Sequence, residues 1–437
     1  MRITASIRDV LSIGVAAGLL AGCGPSFALR QAQVPPLGAP SGSHHPVETI
    51  LYAFKGGKDG IGPGGALVMD ARGAIYGATS LGGSGNCYNG CGTIFKLTPH
   101  GSGYAESIIY RFQGATDGGS PAGGLTVDDA GVLYGTTLGG SSGCPPSCGT
   151  VYELLPKKSG WVHTVLYRFA GGSDGYGAYG GVIVDGSGSL YGTTYAGGTQ
   201  GAGSAYKLTP TKSGYEKSTI FSFGGAHDAH PVATLLFGKD GALYGTAVFS
   251  SVFELIPKAQ HYNGRIMHIL DGSGGQLPYA PVVPGAGGKF YGTTYEGGVT
   301  SRCKSHFGCG TAFELSPAPG GYRETDFKFQ HVDGAYPLVA LLLGKTNGAL
   351  YGTTSGGGLE TCPSREPTYG CGIAFELVAS GSGFKETILH KFAGGTDGAG
   401  PSSALIADAG GSLIGTTGGG GSAGCSSGCG IVFKITP

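Results

Sequence analysis

The stretch Ser189-Leu190-Tyr191-Gly192-Thr193-Thr194 decides how this chain is read, because it does not occur once. It returns as Gly73-Ala-Ile-Tyr-Gly-Ala-Thr79, Val132-Leu-Tyr-Gly-Thr-Thr137, Ala242-Leu-Tyr-Gly-Thr-Ala247, Lys289-Phe-Tyr-Gly-Thr-Thr294, Ala349-Leu-Tyr-Gly-Thr-Thr354 and Ser412-Leu-Ile-Gly-Thr-Thr417. With Tyr76, Tyr134, Tyr191, Tyr244, Tyr291, Tyr351 and Ile414 as markers, successive units lie 58, 57, 53, 47, 60 and 63 residues apart. Such spacings belong to propeller blades rather than to helical solenoids.

Each unit carries four short β-patterned runs, a to d, separated by Gly, Pro, Asn or Asp. In the second unit the runs are 122–127, 132–137, 150–155 and 162–169. The a–b turn reads Asp128-Asp-Ala-Gly131, with parallels at 70–73 and 408–411, where Gly tolerates the positive φ of a tight hairpin. The first β-patterned run, Val47–Phe54, matches the d runs 106–112 and 386–392, whereas the last unit ends with its c run, 431–436. The expected fold is therefore all-β: a seven-bladed β-propeller of four-stranded antiparallel blades, closed by the N-terminal strand pairing with the last blade. Closure covers the edges that an open stack would expose.

Composition fits this reading. Gly contributes 91 and Pro 24 of 437 residues, a share that signals low complexity when aperiodic, yet here the glycines repeat and hydrophobic residues reach 40%. Lys+Arg and Asp+Glu both number 27, so no basic field exists to gather nucleic acid. A monomer is expected.

The combined motif, Gly-x-Leu-Tyr-Gly-Thr-Thr-x-x-Gly-Gly followed by Gly-Thr-x-Phe-x-Leu, closely resembles the GloVer tandem-repeat family of exported bacterial proteins, over residues 47–437. The resemblance implies a fold and an address at the cell envelope, and no activity. The fourth unit departs most, since Tyr244-Gly-Thr-Ala-Val-Phe-Ser250 lacks the Gly-Gly.

Residues 1–22 read as a lipoprotein-type signal peptide: Arg2 and Arg8, the apolar run Val10 to Leu20, then Leu20-Ala-Gly-Cys23. The run is too short to span a bilayer as a helix. Cleavage before Cys23 would let acyl chains on that residue anchor the protein to the membrane, periplasm-facing or at the cell surface. Residues 23–46 form a Pro/Gly/Ser tether that contains His44 and His45, and 47–437 the propeller.

Apart from Cys23, the cysteines fall as five close pairs in the b–c connections: Cys87/Cys91, Cys144/Cys148, Cys303/Cys309, Cys362/Cys371 and Cys425/Cys429. The third and fourth units, with short connections, have none. Disulfides are the favoured reading in an oxidising compartment. Zinc competes, but each pair sits on its own blade and no His recurs beside it, His306 occurring once.

Alternating connections place the d–a and b–c loops on one face. The d–a loops carry Asp59, Asp117, Asp174, Asp228, Asp271, Asp333 and Asp397, one per blade. They could line the channel mouth and hold Ca²⁺, another divalent metal or a sugar hydroxyl; Asp before Gly is more simply a turn former. No cofactor is expected. The repeat is broken at His227-Asp228-Ala-His230 and at His331-Val-Asp333, residue types able to bind metal or move protons. Arg302 and Lys304 could meet an anion. The Gly-x-Ser-x-Gly matches at 139–143, 171–175 and 420–424 sit on no strand–turn–helix elbow. The repeated Tyr and Phe are expected to fill the space between blades. The primary functional reading is a non-catalytic scaffold for an extracellular or periplasmic protein or glycan. The alternative is a hydrolase or lyase with metal at the channel mouth on Asp228, His230, His331 and Asp333.

Overall fold

The computed structural model describes residues 46–437, apart from 115–116, 141–147, 260, 273, 302, 304–306, 345–347 and 364–368. The signal segment, Cys23, His44, His45, Cys144, Arg302, Lys304 and His306 lie outside the described residues. The strands form seven antiparallel sheets, and the fold is a seven-bladed β-propeller. In blade 1 the order from the axis outward is Ile61–Met69, Ile75–Leu81, Thr93–His100 and Gly103–Arg111. Blade 7 is built from both ends of the domain. Val47–Ala53 pairs antiparallel with Ile431–Thr436, in a register that sets Thr49 opposite Lys434 and Ala53 opposite Ile431.

The innermost strands differ from the expected continuous runs. In blade 2 only Thr126–Val127 of the run 122–127 is strand, with a separate piece before it at Gly119–Pro121, and in blades 3 to 6 strand a shortens to two residues. Seven strands crowd at the axis, and neighbouring inner strands touch through their backbones: Leu125 N–H donates to Ala66 O at 3.1 Å. Gly124 is required there, since a Cβ on it would lie 2.0 Å from Ala66 N, at φ +86°. Strand a therefore gives up ladder hydrogen bonds for contact with the next blade.

Each letter of the repeat now has a physical role. The Gly of Tyr-Gly-Thr sits beneath the aromatic ring of strand c; a Cβ on Gly77 would meet the Phe95 ring at 2.4 Å. The second Thr bonds strand b to strand c, as in Thr79 Oγ1 to Thr93 Oγ1 at 2.8 Å and Thr137 Oγ1 to Thr150 Oγ1 at 2.8 Å. The first Thr reaches the next blade: Thr136 donates to Gly180 O at 3.0 Å, and Thr246 to Ala280 O at 3.0 Å. The repeated Tyr is buried, and its hydroxyl donates to the a–b turn Asp in Tyr76–Asp70, Tyr134–Asp128 and Tyr191–Asp185, each at 3.1 Å.

An aromatic relay runs around the ring. The last Phe of strand d meets the strand-c aromatic of the next blade, in Phe54–Phe95, Phe112–Tyr152, Phe169–Tyr206, Phe223–Phe253, Phe329–Phe375 and Phe392–Phe433, with centroids 4.9–5.2 Å apart. Between blades 4 and 5, Leu270 takes the place of Phe and packs in the same cluster as Phe313.

Candidate functional site

The d–a and b–c loops share one face, and a disulfide closes the b–c loop in several blades. Bonds join Cys87–Cys91, Cys303–Cys309, Cys362–Cys371 and Cys425–Cys429. Cys148 is buried and disulfide-bonded. Disulfides are the mark of an oxidising compartment. The carbonyl of the second Cys accepts a hydrogen bond from the first turn of the next inner strand, as in Ser120 N–H to Cys91 O, Tyr336 N–H to Cys309 O and Gly400 N–H to Cys371 O, all 2.8 Å. Each such loop thus braces two blades.

None of the seven d–a aspartates is among the residues lining the central cavity, and each accepts a backbone hydrogen bond within its own loop. Five cap their own turns back to the end of strand d: Asp59 accepts from Lys55 N–H, Asp174 from Ala170, Asp228 from Gly225, Asp333 from Gln330 and Asp397 from Ala393, at 2.6–2.7 Å. Asp117 does the same with Gln113 N–H at 3.0 Å, whereas Asp271 accepts from Gly274 N–H at 3.3 Å. Strand-d tyrosines add their hydroxyls in Tyr52–Asp59, Tyr110–Asp117 and Tyr167–Asp174.

The next blade presents one variable residue to each of these turns. Lys217 Nζ lies 2.8 Å from Asp174, and His163 stacks on Tyr110 at 4.1 Å. Burial lowers the His163 pKa to about 4. At four other seams the residue is Glu, namely Glu48, Glu106, Glu324 and Glu386, and at the remaining one it is Gly264. Burial raises Glu48 to about 6, Glu106 to about 7 and Glu386 to about 8, with Asp397, Asp59 and Asp333 respectively adding repulsion. Asp174 moves the other way: burial works to raise it, and hydrogen bonds from Lys217, Ala170 and Tyr167 outweigh burial and lower it.

The residues where the repeat breaks are not assembled into a centre. Asp228 caps its turn, while His230 turns inward, with Nδ1 2.8 Å from Tyr195 O and its ring 4.5 Å from that of Tyr195. Asp333 caps the His331 turn, whose backbone bonds to Gly334. Among the described residues no group of three or more His, Cys, Asp or Glu is placed to hold a metal ion.

The face instead carries an arc of aromatic rings over blades 3 to 6 that the sequence reading missed. Tyr179 packs on Tyr195 at 5.5 Å, His230 on Phe249 at 5.2 Å, Tyr279 on Tyr295 at 5.6 Å, Tyr295 on Tyr336 at 5.2 Å, and Tyr336 on Tyr369 at 5.9 Å. Tyr179 and Phe249 are about half exposed, at 46% and 50%. On blades 7, 1 and 2 the positions equivalent to Tyr179 hold Ser402, Gly64 and Ala122. A signal was present in the sequence: Tyr195 and Tyr295 follow Gly-Thr-Thr where other units have Ser80, Leu138, Ser355 or Gly418.

Tyr179 and Tyr279 stand where this arc meets a central cavity of about 420 Å³, lined by the inner strands of all seven blades. No charged side chain lines it.

The model of the Gloeobacter/Verrucomicrobia repeat matches residues 40–251 and 180–362. No curated protein matches. Among solved structures, the chain is similar to the extracellular domain of a candidate one-component system from B. thetaiotaomicron, with TM-score 0.53 and 10% identity, over 89% of this chain and 41% of that one. This chain therefore spans less than half the length of that relative. It is also similar to a candidate 6-phosphogluconolactonase from Bacteroides uniformis, with TM-score 0.47 and 13% identity, over 74% of this chain and 83% of that one. At these identities the likeness concerns the fold alone.

Proposed function

The chain belongs to the Gloeobacter/Verrucomicrobia repeat family, and from that premise we propose that it is an exported, lipid-anchored, non-catalytic propeller that binds a glycan or protein at the aromatic arc. The propeller is the scaffold. Cys23 carries the anchor, and the tether to residue 46 holds the domain off the membrane.

The observation that carries the reading is the asymmetry of the face. Disulfides stiffen the loops of blades 1, 2, 5, 6 and 7, and among the described residues the rings on this face pack against one another over blades 3 to 6, whereas Tyr88 of blade 1 is exposed outside this arc. A tyrosine ring offers an apolar face and a hydroxyl at small entropic cost, the combination that binding surfaces use. Stacking on sugar rings or on side chains of a partner requires the same geometry. Three of the four residues named for the hydrolase or lyase alternative, Asp228, His230 and Asp333, are by contrast occupied in turn capping and ring packing.

The test is a glycan array and a surface-protein panel probed with the disulfide-intact domain 46–437 and with Tyr179→Ala and Phe249→Ala. A ligand retained by the parent and weakened at least ten-fold by both variants supports the reading. Binding that survives both places the site elsewhere. Labelling with radioactive palmitate in cells, lost in Cys23→Ala, tests the anchor; unchanged membrane association of that variant overturns it.

A further inference from the structure

The central cavity is unusual in its chemistry. Its walls are Gly, Ala, Val, Leu, Ile, Met, Pro and the two mouth tyrosines, with only three other polar side chains, Thr126, Thr234 and Ser402. All three have partners within the protein. Thr126 donates to Val182 O at 2.5 Å, Thr234 Oγ1 accepts from Gly181 N–H at 2.9 Å, and Ser402 donates to Pro63 O at 2.6 Å. A file of water or an ion entering this tube would find no side-chain charge. Apolar cavities of this kind stay dry or take apolar guests.

The shape is as informative as the lining. Strand a of blade 1, Ile61–Met69, runs its last five residues, 65–69, along the cavity, a length of about 16 Å at 3.3 Å per residue. The bore is bounded by the inner strands of all seven blades, and about 420 Å³ spread over that length is room for one extended chain rather than a globular group. At one end stand Tyr179, Tyr279 and Leu338, which join the cavity to the aromatic arc.

We propose that the cavity and the arc form one site for a single-chain glycolipid: the aliphatic chain enters the apolar bore, and a neutral sugar headgroup rests on the tyrosines. The proposal rests on the reading of the arc as a binding surface and names its ligand class. A neutral headgroup follows from the mouth, where Tyr179, Tyr279 and Leu338 offer hydroxyls and apolar surface but no cation.

The experiment uses the disulfide-intact domain and measures affinity by titration calorimetry for octyl β-D-glucoside, decyl β-D-glucoside, glucose and decanoate, all below their micelle concentrations. Burial of each added methylene strengthens binding roughly four-fold, so the decyl glucoside is expected to bind more than ten-fold tighter than the octyl. Decanoate, whose carboxylate finds no cation in the lining, binds at least ten-fold more weakly than the decyl glucoside. Two variants at half-buried cavity positions check the location: Val232→Trp narrows the mouth and Val339→Asp puts a charge in the bore. Both are expected to erase the dependence on chain length while leaving the melting temperature close to that of the parent.

The outcomes separate the two readings. Glucose bound as tightly as its alkyl glucosides, with Tyr179→Ala weakening all of them, overturns the bore and keeps the arc. Chain-length dependence that persists in both cavity variants places the alkyl chain outside the bore and overturns the proposal. Decanoate bound as tightly as decyl glucoside overturns the neutral headgroup.

Discussion

The seam between blades 7 and 1 and the seam between blades 4 and 5 solve one packing problem with different means. At the first, Phe54 stacks edge-on against Phe95 at 5.1 Å, Gly62 N–H reaches Cys429 O at 3.0 Å, and Ser402 donates to Pro63 O. The Cys425–Cys429 bond stiffens the loop that supplies that carbonyl. At the second, Leu270 replaces Phe, the b–c connection carries no cysteine, and His268 instead meets Glu324 of blade 5 at 2.7 Å. At the neighbouring seam of blades 3 and 4, Gly264 leaves its place to the Phe221 ring, next to a cavity of about 320 Å³. Both seams are crossed by a short d–a loop, but blade 7 is itself held together without covalent continuity, since Val47–Ala53 and Ile431–Thr436 come from opposite ends of the domain, whereas the strands of blades 4 and 5 follow one another along the chain.

The strongest way to break this comparison is to remove the closing strand. A domain starting at residue 55 lacks Val47–Phe54, exposes the ladder edge of Ile431–Thr436 and uncovers Phe95. We expect loss of cooperative thermal unfolding and of a monodisperse gel-filtration peak. A domain that still melts in one sharp transition shows that the velcro strand is dispensable.

Single side chains give the next effect. Phe54→Ala is expected to cost about 4 kcal/mol and Leu270→Ala about 3 kcal/mol in denaturant unfolding, since both side chains are almost fully buried. If the Leu270 variant is the more damaging, the seam between blades 4 and 5 carries more of the ring's stability than the comparison assigns to it.

Replacing Cys425 and Cys429 together by Ser should cost about 2 kcal/mol, the loop-closure value for so small a ring. Hydrogen exchange is expected to rise at Gly62, whose N–H bonds to Cys429 O, and to stay unchanged near Leu270. Equal acceleration at both places means that the ring opens as one unit, and the two seams then cannot be ranked separately.

The fold was legible because its units are written in full. Tyr, Gly and both Thr of the repeat each make a contact that recurs, so periodicity alone carries the blade count, and the orphan d run 47–54 carries the closure. The inner strands were harder to read. The run 122–127 in blade 2 looks like strand, yet only Thr126–Val127 pairs as one, and Gly123 and Gly124 take φ +39° and +86° where crowding at the axis breaks the ladder. The sequence reading searched the candidate site through residue types that do chemistry, and so stopped at His230 and Asp333. The aromatic arc is made by residues distant in the chain, such as Tyr179 and Tyr279, whose nearness depends on ring closure. Tyr195 against Ser80 and Gly418 was the readable trace of it.

The smallest expected effect concerns protons and divides the seams by charge. Glu48, Glu106 and Glu386 have folded-state values raised to about 6, 7 and 8, chiefly by burial. Each faces further groups: Glu48 meets Asp397 and His390, Glu106 meets Asp59, Tyr52, Arg111 and Lys55, and Glu386 meets Asp333 and Lys391. A carboxyl raised in this way holds its proton more tightly folded than unfolded, so its stabilising contribution is complete below about 4.5 and disappears as pH rises through 6 to 8. Asp174 and Asp397 have lowered values and act oppositely, losing their contribution only on acidification. The melting temperature should therefore peak near pH 5 and fall by about 2 °C or more towards pH 8.5. Glu386→Gln, which cannot ionise, should flatten the alkaline side of that curve, whereas a substitution at Lys217, already paired with Asp174, should leave it unchanged. A profile in which Glu386→Gln falls as steeply as the parent would remove proton binding from the account of how these seams hold.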